Sequence, residues 1–166
     1  NSQVEVVNVF TNNPNAGVID RIRYMKIPTI VFDKEQLNSG ALSKQLELLN
    51  PDLIVLAGFL LKIPFDFTNA FREKIINIHP SLLPKYGGKG MYGDRVHQSV
   101  KEAGDKATGI SIHYVNENYD EGSIIFQAKV EVAEEDSISQ IAYKVHQLEY
   151  KYFPEVIQKI LFPKNV

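Results

Sequence analysis

Ile75-Ile76-Asn77-Ile78-His79-Pro80-Ser81-Leu82-Leu83-Pro84 decides how the rest of the chain is read. Side chains two apart on a strand share a face, so Ile76 and Ile78 point one way while Asn77 and His79 point the other. An amide and an imidazole thus emerge together at the strand's carboxyl end. Pro80 has no N–H for a ladder and biases His79 toward extended backbone, so the strand stops and leaves through a proline-bounded loop. In α/β sheets that edge is where ligands bind.

Working outward, Asp52-Leu53-Ile54-Val55-Leu56-Ala57-Gly58 carries an apolar run with a glycine stop, which predicts a strand buried on both faces of a parallel sheet. Val4 to Phe10 is rich in β-branched residues and precedes a turn cluster, residues 11–17, so it is predicted as a strand. Val18 to Met25 has helical spacing, Ile27 to Phe32 is a short strand, and Leu42, Leu46 and Leu49 place a helix within Gly40 to Leu49. Strands alternating with helices argue for βαβ units. Beyond the central stretch, Asp94 to Ala103 is predicted as a helix closed by Gly104, with His97 solvated and without a role. Thr108 to Val115 and Ser123 to Val132 read as strands. Ser137-Ile138-Ser139-Gln140 is a capping box opening a helix whose apolar stripe is Ile138, Ile141, Val145, Leu148 and Tyr152. The expectation is one α/β domain over residues 1–166: a Rossmann-like, mostly parallel central sheet flanked by helices, an antiparallel strand pair toward the C-terminus and a long C-terminal helix.

Composition narrows the function. A net charge of -2 gives no general field for nucleic acid, so any anionic ligand needs a local site. The absence of cysteine removes disulfides, thiol nucleophiles and thiolate metal sites. No apolar run reaches the roughly 18 residues of a membrane span, and no signal sequence is visible. The expected location is cytoplasmic. The loop Lys85 to Gly93 is glycine-rich, but Lys89 is followed by Gly90, so a Walker phosphate loop does not match and a mobile surface loop is the plainer reading. The acids of Asn116-Glu117-Asn118-Tyr119-Asp120-Glu121-Gly122 lack calcium-loop spacing and read as a solvated turn.

An amide and an imidazole side by side, with a carboxylate on another loop, suit addition to a carbonyl: the amide stabilises an oxyanion, the imidazole moves protons and the carboxylate orients it. Asp120 is the preferred carboxylate, then Asp94.

Asn77 to Tyr86, with His113-Tyr114-Val115, Tyr119 to Ala128, Leu53 to Phe59 and Glu149, resembles the glycinamide ribonucleotide formyltransferase family of purine biosynthesis, from about Val4 to about Leu161. The resemblance implies transfer of a formyl group from 10-formyltetrahydrofolate to the amino group of glycinamide ribonucleotide, without a metal. It implies Asn77, His79 and Asp120 as the catalytic trio, with His79 charged or sharing a proton and Asp120 raising its pKa. Phe59, Leu60, Leu61, Lys62 and Ile63, with Asn116, Glu117, Asn118 and Tyr119, would receive the pterin, with His113 near the same site. Glu149 and its neighbour His146 would bind the substrate. The implied partners are these small molecules, not nucleic acid or membrane, and the chain is expected as a monomer or homodimer.

The family's first strand and Gly-Asn-Gly-Ser-Asn type phosphate loop have no counterpart here. The chain opens at Asn1 in what resembles the second strand, so about two dozen upstream residues are expected to be missing. Two rivals share the trio: a 10-formyltetrahydrofolate hydrolase and a catalytically dead folate-binding domain. A methionyl-tRNA formyltransferase would carry a further C-terminal domain and suits an acidic chain poorly.

Overall fold

The computed structural model describes residues 4–163, and the chain falls into two compact units, the first ending at Asp52 and the second beginning at Leu53. In the first unit, β1 (Val9–Thr11) and β2 (Thr29–Val31) pair in parallel. Between them lie α1 (Gly17–Ile22) and a 3-10 turn, Arg23–Met25. The strand predicted over Val4 to Phe10 is therefore shorter and later. The short β2 offers partners to Val9, Phe10 and Thr11 alone. Two helices follow, α2 (Lys34–Asn38) and α3 (Ala41–Leu49). The sequence reading missed α2, although Asp33 and Gln36 form a capping box in which each side chain accepts the other's backbone N–H.

The second unit holds β3 (Ile54–Leu56), α4 (Phe65–Ala70), β4 (Ile75–His79), α5 (Asp94–Glu102), β5 (Ala107–Tyr114), β6 (Ile124–Glu131) and α6 (Ile138–Leu161). Its sheet runs β3-β4-β5-β6, with β3 parallel to β4 and both later pairings antiparallel. The parallel pairs, the antiparallel pair toward the C-terminus and the long last helix are the α/β architecture expected. One detail differs: Val55 is 41% exposed, where the apolar run predicts burial on both faces. In this sheet β3 is the end strand and hydrogen-bonds to β4 alone.

The two faces of this sheet have different chemistry because β4 and β5 both alternate with period two. Ile76, Ile110 and Ile112 are fully buried with Val145 and Val156 of α6, and Ile78 packs against them. Each such side chain contributes about 1.5–3 kcal/mol relative to exposure. The capping box Ser137/Gln140 starts α6 where predicted. The opposite face is a polar row. In register, Asn77 faces His113 and His79 faces Ser111.

Ser111 shows how that row shapes the loop beyond β4. Its buried hydroxyl donates to Ser81 O at 2.7 Å and accepts from Leu83 N at 2.9 Å and Gln127 Nε2 at 2.7 Å. A buried polar group left without its partner costs about 1–3 kcal/mol, so the chain after Pro80 is held against β5 rather than left loose.

Candidate functional site

Asn77 and His79 leave β4 on the polar face, and the loops around them supply the remaining groups. His79 is 4% exposed. Its Nε2–H donates to the Tyr86 carbonyl at 2.7 Å, which leaves Nδ1 facing Asp120 Oδ2 at 3.5 Å. His113 donates from Nδ1 to the Tyr114 carbonyl at 2.8 Å, so its Nε2 presents a lone pair. That lone pair meets Asn77 Nδ2 at 3.2 Å and therefore fixes which end of the amide turns inward. One Asn77 N–H is used this way and the second is left to donate.

Asp120 is placed by backbone. Tyr114 N donates to Ser123 O at 2.9 Å, closing the β5–β6 connection, and Asn118 N donates to Asn116 Oδ1 at 2.9 Å within it. Asp120 itself sits at φ +57, a left-handed backbone that Asp tolerates better than most residues. Its Oδ2 accepts Gly88 N at 2.9 Å, and its Oδ1 lies 3.6 Å from His113 Nε2, beyond hydrogen-bond length. Gly87 lies close against this closure: a Cβ there would stand 2.6 Å from Leu83 Cδ2 and 3.3 Å from Asp120 Cβ, so the Leu83 side chain would have to move.

The electrostatics differ from those the resemblance implies for His79. Burial lowers its pKa below the ordinary 6.5; Asp120 and the Tyr86 carbonyl oppose this, His113 adds to it, and the net direction is down. Desolvation outweighs the carboxylate, so the resting ring is neutral. Burial also works to raise Asp120, but His113, His79 and the Gly88 amide outweigh it and hold the carboxyl below 3.8.

His97 is the clear miss. It is 2% exposed on α5, not solvated, and its Nδ1 has no hydrogen-bond partner. The signal was present, since Val96, His97 and Val100 share one helical stripe that packs inward. Its pKa is lowered by burial first and by His146 and His79, against Asp94. The His97 and His146 rings meet edge-on, centroids 6.4 Å apart, so α5 meets the predicted substrate-side position on α6. Glu149, half-buried one turn on, is raised by burial, with His146 pulling it down.

Phe59 to Ile63 follow β3 at the carboxyl end it shares with β4, where Leu56 is in register with Asn77; Asn116 to Tyr119 follow the antiparallel β5 at the opposite end, where Val115 N donates to Ile75 O at 2.9 Å. Leu60 is 53% exposed and presents an apolar surface, whereas Ile63 is buried and belongs to the core. Asn116 to Tyr119 form the turn leading into Asp120. The glycine-rich loop is not simply surface: Tyr86 and Gly88 supply two of the bonds that hold the site. Among the described residues, no group of three or more His, Cys, Asp or Glu is arranged to hold a metal ion.

His79 and His97 bind protons more weakly folded than unfolded, so their contribution to stability is complete above 6.5 and is lost as pH falls from there through their lowered values. Glu149, raised, acts oppositely: its contribution is present below 4.5 and is lost as pH rises through its raised value. Asp120 loses its share only below 3.8. The melting temperature should drop between pH 7.5 and 5.5, and the slope should flatten in His97→Gln. A flat profile in the parent protein contradicts the burial argument.

Comparison with known proteins gives a consistent result. A family profile described as "Formyl transferase" matches residues 1–157. The chain is 39% identical over 159 residues to phosphoribosylglycinamide formyltransferase of Bacillus subtilis, covering 93% of this chain and 79% of that protein. It is 39% identical over 162 residues to the chloroplastic phosphoribosylglycinamide formyltransferase of Arabidopsis thaliana, covering 94% of this chain but 56% of the relative, little more than half its length. The crystal structure of phosphoribosylglycinamide formyltransferase from Anaplasma phagocytophilum superposes with a TM-score of 0.88 at 33% identity, over 98% of this chain and 78% of the other.

Proposed function

Because the chain belongs to the formyl transferase family, we propose that it moves a formyl group from 10-formyltetrahydrofolate to the amino group of glycinamide ribonucleotide. The observation that supports this reading is that Asn77, bonded to His113, and His79 share one face of β4, with the Asp120 carboxylate 3.5 Å from His79 and 3.6 Å from His113. The relatives named for this reaction point the same way.

In the proposed step the substrate amine attacks the formyl carbon and the carbonyl electrons move onto oxygen. Asn77 donates its free N–H to that oxygen, and one such donor contributes about a hundredfold or more in rate. His79, neutral at rest, accepts the amine proton on Nδ1, and Asp120 at 3.5 Å stabilises the resulting imidazolium. Collapse of the adduct breaks the bond from the formyl carbon to the folate nitrogen. The proton held at His79 passes to that nitrogen, so the amine's hydrogen ends on the departing folate and atoms balance. His113 takes no proton in this scheme; it fixes the Asn77 amide. Phe59, Leu60, Leu61 and Lys62 would flank the folate, and His146 and Glu149 the ribonucleotide.

The test is tetrahydrofolate release from the 10-formyl donor, followed by absorbance with and without glycinamide ribonucleotide. Release that requires the ribonucleotide supports transfer. Equal release without it would make water the acceptor and the protein a hydrolase.

A further inference from the structure

We propose that Asp105, which touches neither Asn77, His79 nor Asp120, is a positioning residue for His79, acting through Tyr86. The inference rests on the formyl-transfer reading for its kinetic consequence, although its structural consequence stands without it.

The clamp begins at the end of α5. Gly104, at φ +65, donates its N–H to Lys101 O at 3.1 Å, and Asp105 donates its N–H to Val100 O at 3.3 Å. That pair of bonds is a Schellman ending, which fixes the direction in which the chain leaves the helix. The Asp105 carboxylate consequently faces the start of the glycine-rich loop. There it accepts Lys85 Nζ at 2.7 Å on Oδ1 and 2.6 Å on Oδ2, and the Tyr86 hydroxyl at 2.9 Å on Oδ2. The Tyr86 ring packs beside Val100, Val132 and Ile141, with the Lys85 ammonium 5.1 Å from its centroid.

Lys85 and Tyr86 lie in a turn, where Lys85 N donates to Leu82 O at 3.2 Å, and both reach the one carboxylate. Tyr86 adopts φ +58 there, a left-handed backbone that a bulky residue rarely takes. Such conformations persist only where surrounding contacts over-determine them. Ser81 Oγ donates to Lys85 O at 2.6 Å and fixes one side of the kink, and Asp105 fixes the other. The kink aims the Tyr86 carbonyl at His79 Nε2–H. When the clamp is released, Tyr86 can return to negative φ, its carbonyl turns away, and the Nε2 hydrogen of His79 loses its acceptor. Asp120 then competes for that hydrogen at Nδ1, the atom needed as a proton acceptor.

The experiment compares the parent protein with Asp105→Ala, Asp105→Asn and Tyr86→Phe, with histidine labelled with nitrogen-15. Long-range proton–nitrogen spectra read the His79 tautomer, and steady-state kinetics read kcat and KM. The groups facing His79, namely Asp120, His113 and, farther off, His97, are unchanged in every variant. The parent should carry its hydrogen on Nε2. Asp105→Ala should mix in the Nδ1 tautomer and lower kcat about tenfold with KM within about twofold, the scale expected for loss of an outer orienting group. Asp105→Asn, which keeps an acceptor for the Tyr86 hydroxyl, should recover most of both. An unchanged tautomer and kcat in Asp105→Ala, with only a lower unfolding midpoint, would reduce the clamp to a surface staple and overturn the proposal. Should Asp105→Ala not fold, Tyr86→Phe, which keeps the packed ring, decides by the same two readings. A tautomer that shifts in a protein showing no formyl transfer would retain the clamp and retire the functional reading instead.

Discussion

Asp120→Asn should slow ribonucleotide-dependent formyl transfer by about a thousandfold, within the range that proton-handling groups contribute. Asparagine is a stringent choice because it tolerates the left-handed backbone at φ +57 and keeps an oxygen for the Gly88 N–H. What it removes is charge. The imidazolium formed at His79 Nδ1 then lacks its counter-ion in a site with little solvent, where an unpaired charge is costly. The unfolding midpoint should change little, and KM should move less than kcat, since Asp120 touches His79, His113 and Gly88 rather than the predicted ligand walls. Single-turnover measurement of tetrahydrofolate release separates the chemical step from product release. A loss below tenfold would mean that His79 works without its carboxylate, and the proton route through this pair would have to be abandoned.

Gly122→Ala should be damaging for a different reason, through stability as well as activity. A Cβ at this position would overlap the Tyr114 carbonyl and lie 3.5 Å from His113 Nδ1. Backbone cannot yield there as a flexible side chain could, so an overpacking penalty of roughly 3 kcal/mol is expected. The displaced carbonyl is the acceptor of the His113 Nδ1–H. Moving it disturbs the ring that orients Asn77 and shifts the connection that carries Asp120. Activity should fall at least about tenfold even in the fraction that remains folded, because displacements near 1 Å at reacting groups are that costly. Urea unfolding and an activity assay on the same sample test both halves. A variant with the parent's stability would show that the β5–β6 connection has room that the geometry denies.

How much of this was legible in the sequence depends on whether the cause was local. The period-two spacing of Asn77 and His79 places both on one face, and the structure agrees, with Ile76 buried on the other. The capping box at Ser137 names a helix start because its two residues satisfy each other's backbone. The same signal at Asp33 and Gln36 was present and overlooked. His97 was misread although its stripe with Val96 and Val100 marks an inward face. Exposure of Val55 is another matter, since it depends on which strands flank β3, and no window of sequence contains that. Nothing local in the sequence favours Asp120 over Asp94; the 3.5 Å between Asp120 and His79 is created by the β5–β6 connection. The Tyr86 carbonyl and the Gly88 N–H were beyond sequence reasoning, because backbone groups carry no residue identity.

Those two backbone groups have a consequence for turnover. Tyr86 holds the Nε2 hydrogen of His79, and Gly88 holds an oxygen of Asp120, from positions two residues apart in one loop. In the proposed cycle neither contact is addressed: Nε2 keeps its hydrogen, Asp120 keeps its charge, and only Nδ1 gains and loses a proton. The peptide dipoles are already oriented for both states, so reorganisation energy around the pair is small. One hydrogen can shuttle through this site on each cycle while the backbone that frames it stands still.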